Sequence, residues 1–197
     1  MASDENKARR RRQIAEAVWR LAAREGLEAV TLRQVADEAG VSMRLVQYYF
    51  GNRTALLLAA LEILNEEAET TAQQRIGALG DDLPARELVR AILMELLPLD
   101  EERRRRYVVQ TAYFVRFLTD PQLQEVARTA DPALESLLAS ILSADPTVKS
   151  DDTFADAELL IAFAFGLQAE MLLNQVDEPH ALHLLNRLLD RVLGTAP

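Results

Sequence analysis

Apolar residues recur along this chain at the three- and four-residue spacing of an α-helix, and no segment alternates with the two-residue period of a β-strand. The clearest example is the segment 7–25, where Ile14, Val18 and Leu21 fall on one face. The spacing predicts about nine helices, over 7–25, 31–39, 42–50, 52–76, 84–97, 101–118, 121–143 (in two segments, 121–130 and 132–143), 153–175 and 179–193. The pattern therefore indicates an all-α fold.

The ends of the first helices carry capping and turn signals. Gly26 follows the first helix, at a position where glycine commonly ends a helix. Thr31 and Gln34 have the spacing of a capping box at the start of the second helix. Gly40 can supply a turn with a positive φ, and Ser42 can cap the third helix. Two short helices joined by a tight turn are typical of a helix-turn-helix.

The helix predicted over 52–76, which Asn52 can cap, is long enough to connect two regions of the chain. The next break contains Gly77, Gly80 and Asp81. We place a domain boundary inside this helix. The expected domains are a helix-turn-helix domain over 7–58 and a helical domain over 59–194.

Charge is distributed unevenly along the 197 residues, whose net charge is −9. Residues 1–60 contain 10 basic and 7 acidic residues, whereas residues 61–197 contain 12 basic and 24 acidic residues. A basic N-terminal region on an acidic body is compatible with DNA binding at one end, with the acidic body held away from the phosphates.

Composition argues against several other classes of protein. The absence of cysteine excludes disulfides and thiolate chemistry. No apolar run approaches the ~18 to 20 residues that span a bilayer, and the polar N-terminus does not resemble a signal peptide. We therefore expect a cytoplasmic protein with no membrane partner.

No catalytic or cofactor motif is present, because the chain has no phosphate-binding loop and no activated-serine pattern. We expect that the chain is not an enzyme and binds no cofactor. An all-α enzyme in which the helix-turn-helix is incidental is one alternative interpretation. His180 and His183 are three residues apart, a spacing that can bind metal. Ordinary helix packing explains this pair better, and we expect no metal site.

The outer face of the third helix has the chemistry of a base-reading surface. With Val46 facing inward, a rotation of ~100° per residue points Arg44 and Tyr48 outward and places Gln47 on the flank. Arginine can donate to guanine, glutamine can pair with adenine, and Met43 can contact a thymine methyl group. Met43 and Arg44 lie at the end of the helix that enters the major groove most deeply.

Residues 10–60 resemble the N-terminal DNA-binding domain of the TetR (tetracycline-repressor) family. The resemblance rests on the first-helix pattern Ile14 to Leu21, on Gly26, and on three motifs: Thr31-x-x-x-Val35-Ala36-x-x-Ala39-Gly40-Val41-Ser42, Val46-x-x-Tyr49-Phe50 and Asn52-Arg53-x-x-Leu56-Leu57. The number and order of the later helices fit as well. One departure is Gln47, where the family usually has tyrosine, so the operator sequence cannot be taken from relatives.

The resemblance implies further DNA contacts. Arg33 matches a position that can reach a base edge, and Thr31, Tyr49 and Arg53 match positions that contact phosphates. The run from Arg9 to Arg12 can follow the DNA backbone, enter a minor groove or form a solvated terminus. The complete set of predicted DNA-binding residues is Thr31, Arg33, Ser42, Met43, Arg44, Gln47, Tyr48, Tyr49 and Arg53.

In the family, the last two helices pair with those of a second copy as a four-helix bundle. The helix over 153–175 is almost continuously apolar from Leu159 to Phe165, which indicates burial on more than one side. Gly166 and Ala169 would allow a close approach of two helices. A central core helix in a monomer is the alternative.

The family also has an effector cavity between its C-terminal helices. Besides its main apolar stripe, the helix over 101–118 carries aromatic and hydrogen-bonding residues on another face, and such residues are typical of a small-molecule pocket. Arg104 can face inward from a run of four arginines and bind an anionic effector, although a solvated helix start also explains the run. The predicted ligand-binding residues, for which core packing is the alternative, are Met94, Leu97, Arg104, Gln110, Tyr113, Phe114, Phe117, Phe163, Gln168 and Met171.

Together these features predict a homodimeric, ligand-responsive transcriptional regulator. In this interpretation a small-molecule effector of unknown identity releases a repressor from a palindromic double-stranded DNA operator. A DNA-binding regulator controlled by a partner protein, with no small-molecule effector, is the alternative function.

Overall fold

The computed structural model describes residues 2–80, 82–128, 132–148 and 150–193. Within these ranges it contains ten α-helices, one short 3-10 turn and no β-strand. The helices are α1 Ala2–Glu25, α2 Leu32–Ala39, α3 Met43–Phe50, α4 Arg53–Gly77, α5 Ala85–Glu95, α6 Glu101–Thr119, α7 Pro121–Arg128, α8 Ala133–Ala144, α9 Thr153–Leu172 and α10 Glu178–Val192. The predicted all-α fold class is confirmed.

Several helices begin or end at residues other than those that the sequence predicted. Helix α1 begins at Ala2 rather than near residue 7, because Asp4 and Glu5 lie in its first turn and interact favourably with the helix dipole. Helix α5 stops at Glu95, two residues before the predicted end, as the chain approaches Pro98. The two predicted segments over 121–143 are the separate helices α7 and α8, which brings the number of helices to ten. The predicted break residue Asp81, the end of the first segment at 129–130 and the cap Asp131 lie outside the described residues.

The predicted capping and turn residues of α2, α3 and α4 are confirmed. Thr31 and Gln34 form both hydrogen bonds of the capping box, and Gly40 takes a left-handed φ of 66°. The Ser42 hydroxyl oxygen accepts a hydrogen bond from the amide of Leu45 at 3.2 Å. The Asn52 side chain accepts one from the amide of Ala55 at 2.9 Å. These local bonds fix the ends of α2, α3 and α4.

Contacts divide the chain into two compact units, which are described separately. The first contains the described residues within Met1–Thr71 and Arg105–Arg128, and the second contains those within Ala72–Arg104 and Thr129–Pro197. The predicted functional domains, 7–58 and 59–194, divide the chain by role and stay a prediction.

The first unit is built around an apolar core that α1 to α4 share. Ile14, Val18, Val35, Val46 and Leu56 are fully buried in it. Such burial stabilises the fold by about 1.5–3 kcal/mol for each large side chain. The core therefore fixes the orientation of α3 relative to α1.

Helix α6 contributes Tyr113 to the same core. The Tyr113 hydroxyl donates a hydrogen bond of 2.8 Å to the carbonyl oxygen of Leu57. Burial raises the pKa of the Tyr113 phenol, so the hydroxyl keeps its proton and remains a donor. On α1, the Trp19 indole N–H donates at 2.9 Å to the carbonyl oxygen of Ala60. Both bonds attach α4 to neighbouring helices of the unit.

Replacing Tyr113 by phenylalanine is expected to lower the free energy of unfolding by about 0.5–1.5 kcal/mol, because one buried hydrogen bond is lost while the ring packing stays. Denaturant titration followed by circular dichroism measures this change. Tyr48→Phe is the matched control, since Tyr48 is 78% exposed and should leave the midpoint unchanged. Equal midpoints for wild type and Tyr113→Phe would contradict the expectation.

The second unit packs α5, α8, α9 and α10 around another apolar core, which includes Leu93, Leu138, Leu160 and Leu185. Polar contacts join α5 to α10, where Arg86 pairs with Asp190 at 2.6 Å and Arg90 donates to Asn186 at 2.9 Å. Among the described residues, no helix combines the length and the apolar content needed to cross a bilayer.

Candidate DNA interface

Helix α3 presents two chemically different faces. Val46 and Phe50 are buried against the core of the first unit. Met43, Arg44, Gln47 and Tyr48 are exposed on the opposite side, and we call these four residues the recognition surface. The inward position that the sequence predicted for Val46 is confirmed.

Arg44 has the environment that base reading requires. Its side chain is exposed and forms no hydrogen bond or ion pair with the described part of the chain. Its guanidinium therefore keeps all five N–H donors, whose planar arrangement matches the two acceptors at the major-groove edge of guanine. Gln47 is similarly exposed and without an intramolecular partner there. Tyr48 packs edge-on against Tyr49, with 5.2 Å between ring centroids.

The hydroxyl groups predicted to contact DNA already have roles as helix caps. The Ser42 oxygen accepts from Leu45 and leaves the hydroxyl proton available. The Thr31 oxygen accepts from the amide of Gln34 at 3.2 Å and lies 2.7 Å from the Gln34 side-chain oxygen, to which it donates. Arg33 is exposed on α2, and its side chain forms no hydrogen bond or ion pair within the described part of the chain. The DNA contacts of Ser42, Thr31 and Arg33 stay predictions.

Arg53 has an intramolecular role that the sequence did not predict, and its predicted phosphate contact stays a prediction. Its Nε donates to the carbonyl oxygen of Val30 at 2.7 Å, and one terminal nitrogen donates to that of Leu27 at 2.6 Å. The guanidinium is half-buried and holds the backbone between α1 and α2. Sequence reasoning missed this role because backbone carbonyls more than 20 positions away leave no signal in the side-chain pattern.

An open groove of about 440 Å³ lies beside the first turn of α4 and is lined by Asn52, Arg53, Thr54, Ala55 and Leu58. Amide groups in the first turn of a helix, together with the helix dipole, favour an anion. A phosphate contact at this end of α4 is therefore chemically reasonable even though the Arg53 guanidinium is largely committed.

The N-terminal arginines lie on α1 rather than in an irregular or extended arm. Arg10 donates to Gln13 at 2.8 Å, and Arg12 pairs with Glu67 at 2.7 Å. The Arg11 guanidinium stacks over Phe50 at 5.2 Å from the ring centroid. The irregular terminus that the sequence left open therefore does not describe this segment, and contact of these arginines with the DNA backbone or a minor groove stays a prediction.

Glu38 joins α1 to α2 through two arginines. Arg20 pairs with its carboxylate at 2.7 Å and Arg24 at 3.2 Å. The hydrogen bond from Arg20, followed by that from Arg24, lowers the pKa of Glu38 below its ordinary value. These positive charges are paired internally, so they add less to the potential at the recognition surface than their number suggests.

The predicted ligand-binding residues are divided between the two units. Six belong to the second unit, where four pack in or against its apolar core and Gln168 donates to the carbonyl oxygen of Leu96 at 3.0 Å. The four are Met94, Leu97, Phe163 and Met171. The sixth is Arg104, whose terminal nitrogens approach the carbonyl oxygens of Met171 at 3.4 Å and Leu172 at 3.2 Å. A cation at this end of α9 interacts favourably with the helix dipole.

The other four predicted ligand-binding residues lie on α6 in the first unit. Tyr113 is buried, Phe117 packs against the core, and Gln110 donates to Asn65 at 3.0 Å. Phe114 faces away and is 61% exposed. These contacts give Tyr113, Phe117 and Gln110 structural roles, and an effector role for any of the ten residues stays a prediction.

His180 and His183 are exposed on α10, with their rings stacked 6.4 Å apart. In the described ranges, the structure contains no group of three or more histidine, cysteine, aspartate or glutamate residues placed to hold a metal ion.

Helix α9 has a second apolar face besides its buried one, in the segment for which the sequence predicted burial on more than one side. One side, including Leu160, Ala164 and Leu167, is buried in the second unit. The opposite side is exposed and repeats at alternating spacings of three and four residues, through Leu159, Ala162, Gly166 and Ala169 to Leu173, the C-cap residue of α9. We call these five residues the outer face of α9. Alternating three- and four-residue spacing is typical of paired helices.

Comparison with known families matches most of the chain. A sequence model for the C-terminal domain of BetI-type transcriptional repressors covers residues 85–194, and one described as bacterial regulatory proteins of the tetR family covers residues 14–60. The chain is also 30% identical over 169 residues to the HTH-type transcriptional regulator PksA of Bacillus subtilis (strain 168), an alignment that covers 85% of this chain and 81% of PksA.

Two solved structures show the same fold. A TetR-family transcriptional regulator from Rhodococcus sp. has a TM-score of 0.83 and 24% identity, covering 94% of this chain and 99% of that one. A transcriptional regulator from Saccharomonospora viridis, crystallised in complex with choline, has a TM-score of 0.74 and 22% identity, covering 93% and 95% of the two chains.

Proposed function

Because this chain belongs to the TetR family of transcriptional regulators and is no enzyme, we propose that it is a repressor that a small-molecule effector releases from its operator. Regulators of this family bind DNA and form dimers. The observation that carries the proposal is the recognition surface, in which Arg44 and Gln47 are exposed while Val46 anchors α3 in the core. Cytoplasmic action on chromosomal DNA is part of the proposal.

In the proposed complex, α3 lies in the major groove. Arg44 donates to a guanine edge, Gln47 pairs with an adenine, and Met43 contacts a thymine methyl group. Tyr48, Tyr49 and the capped starts of α2 and α3 lie toward the phosphates, where hydroxyl groups position the helix without reading sequence.

The proposed dimer pairs α9 and α10 with the same helices of a second copy. The outer face of α9 supports this, because its large members Leu159 and Leu173 are 61% and 67% exposed in a single chain. Glu158 and Glu170 lie exposed on the same helix, while Arg187 and Arg191 are exposed on α10. A two-fold axis would place opposite charges around an apolar centre, as in many dimer interfaces.

Operator release follows from linkage between effector and DNA. An effector lowers DNA affinity only by preferring the conformation in which the two recognition surfaces no longer fit successive grooves. Choline is the first compound to test, since a structural neighbour was crystallised with it. Aromatic faces are the usual recognition groups for quaternary ammonium ligands. The described second unit offers only the phenylalanines Phe154, Phe163 and Phe165 for this purpose, so other compound classes belong in the same screen.

Selection of genomic DNA fragments by the purified protein tests the function directly. We expect recovered fragments to share an approximate palindrome whose half-sites lie about one helical turn apart, roughly 34–36 Å. Fragments bound without a common sequence would contradict a sequence-reading role.

An effector that binds only the folded protein should raise the free energy of unfolding by about 2.7 kcal/mol when its free concentration is 100 times its dissociation constant. Thermal unfolding in the presence of choline and a chemically diverse compound set measures this effect. The stabilising compound should also weaken binding to the selected operator. Failure of every compound to shift the transition would favour control by a partner protein.

A further inference from the structure

The connection between α1 and α2 is a short turn fixed at both ends of its backbone. Gly26 has a φ of 77°, and residues Leu27–Ala29 form one 3-10 turn closed by a bond from the amide of Val30 to the carbonyl oxygen of Leu27 at 3.1 Å. The side chains of Leu27 and Val30 are buried in the core of the first unit. We call residues 26–30 the α1–α2 turn. It leads directly into Thr31, the cap of α2.

Arg53 holds this turn from the first residue of α4. It donates to the two carbonyl oxygens at the ends of the turn, those of Leu27 and Val30, at 2.6 and 2.7 Å. Hydrogen bonds from a charged donor are stronger than those between neutral groups. Guanidinium suits this geometry because Nε and a terminal nitrogen are held in one plane, whereas a lysine ammonium cannot keep both donor directions fixed.

Arg116 holds the same turn from α6. It pairs with Glu28 at 2.9 Å and with Asp120 at 2.8 Å. The carboxylate of Glu28 is largely exposed, so this pair contributes less than the two bonds from Arg53. Arg53 and Arg116 therefore attach the α1–α2 turn to two helices outside the helix-turn-helix.

We propose that Arg53 is a positioning residue, which with the support of Arg116 fixes the α1–α2 turn and thereby sets the angle at which α2 and α3 meet DNA. This assignment rests on the proposed function and replaces the phosphate contact that sequence resemblance implies for Arg53. The physical reason is that α2 begins directly after this turn and packs against α3 in the same core, so freedom in the turn would shift α2 and disturb the position of the recognition surface. Any phosphate contact in the groove beside the first turn of α4 would then depend on backbone amides.

Arg53→Lys and Arg53→Gln separate positioning from phosphate contact. Lysine keeps the positive charge but has one donor nitrogen where arginine uses two, so it cannot reproduce both bonds in their present geometry, whereas glutamine loses the charge as well. Positioning predicts that both variants bind the selected operator roughly five- to tenfold more weakly. Because no phosphate contact is lost, the dependence of log affinity on log salt should match that of the wild type.

A phosphate contact predicts another outcome. Arg53→Lys would then retain most of the wild-type affinity, and Arg53→Gln would reduce the salt slope by about 0.9. That result would overturn the assignment.

Hydrogen exchange of the free protein gives a second measurement that does not involve DNA. Positioning predicts faster exchange at the amides of residues 27–34 in both Arg53 variants. Arg44→Gln, which removes an exposed guanidinium from the same unit, is the control and should leave these amides unchanged. Unchanged exchange in both Arg53 variants would overturn the proposal. If the wild type bound no specific DNA, the proposed function would fail while this measurement would still test the positioning contacts.

The contribution of Arg116 has its own test, which also serves if an Arg53 variant does not fold. Glu28→Gln and Arg116→Gln should each speed exchange in the α1–α2 turn by a smaller factor. Their combination should have no greater effect than Arg116→Gln alone, because both remove the same ion pair. Fully additive effects would show that the pair does not hold the turn.

Discussion

A Gly166→Glu variant is expected to be a helical monomer that binds the selected operator about 10²- to 10⁴-fold more weakly than the wild type, because two linked recognition surfaces bind far more tightly than one. Gly166 lies at the centre of the outer face of α9, where a glycine allows two helices to approach closely. A glutamate there would place two carboxylates at the proposed two-fold axis. Light scattering at micromolar concentration and an operator-binding assay measure the two effects.

The substitution should not disturb the fold of a single chain. An added Cβ at Gly166 meets no atom within 4 Å, and glycine is a poor helix former. Gly77→Glu is the matched control, since Gly77 is also helical and has equally open surroundings at the end of α4. A Gly166→Glu protein that remained dimeric and kept wild-type affinity would exclude α9 as the pairing helix.

The second large effect is expected at the recognition surface. Arg44→Ala should reduce operator affinity by about 1–3 kcal/mol, roughly 5- to 150-fold, and relax the base preference at one position of each half-site. The reason is the loss of a guanidinium that has no intramolecular partner in the described chain and is free to pair with a base. Repeating the fragment selection with the variant identifies the position that it reads.

Arg105→Ala is a suitable control for the charge. Arg105 is exposed on α6, so its removal changes the net charge equally without altering the recognition surface. It should leave base preference unchanged. If Arg44→Ala changed affinity uniformly for all DNA sequences and kept the base preference, Arg44 would be a phosphate contact instead.

Much of the first unit could be predicted from local patterns. The capping box of Thr31 with Gln34, the left-handed turn at Gly40 and the cap at Ser42 all appear where their residue types indicate. Each depends on groups within three or four positions of one another, so a single stretch of sequence contains both partners. The burial of Val46 follows in the same way from helical periodicity.

Contacts between distant residues could not be predicted. Arg53 matches a phosphate-contacting position of the family, yet it donates to carbonyl oxygens of the α1–α2 turn. Tyr113 is a predicted pocket residue, and no local pattern indicates its burial or the bond from its hydroxyl to Leu57. Arg104 is predicted to face an anionic effector, and no local pattern indicates its position at the last carbonyls of α9. Both effector roles stay predictions. A periodic pattern shows that a side chain points inward without showing which group it meets.

The sequence by itself determined the all-α class, the helix-turn-helix and its caps, and the outward position of Arg44, because hydrogen bonds and helical periodicity act over a few residues. Only the tertiary structure decided that α6 shares the core of the first unit, that Arg53 holds the α1–α2 turn, and that α9 exposes one of its two apolar faces. These features depend on which helix faces pack together. Residues far apart in the chain meet there, and no local pattern encodes their pairing.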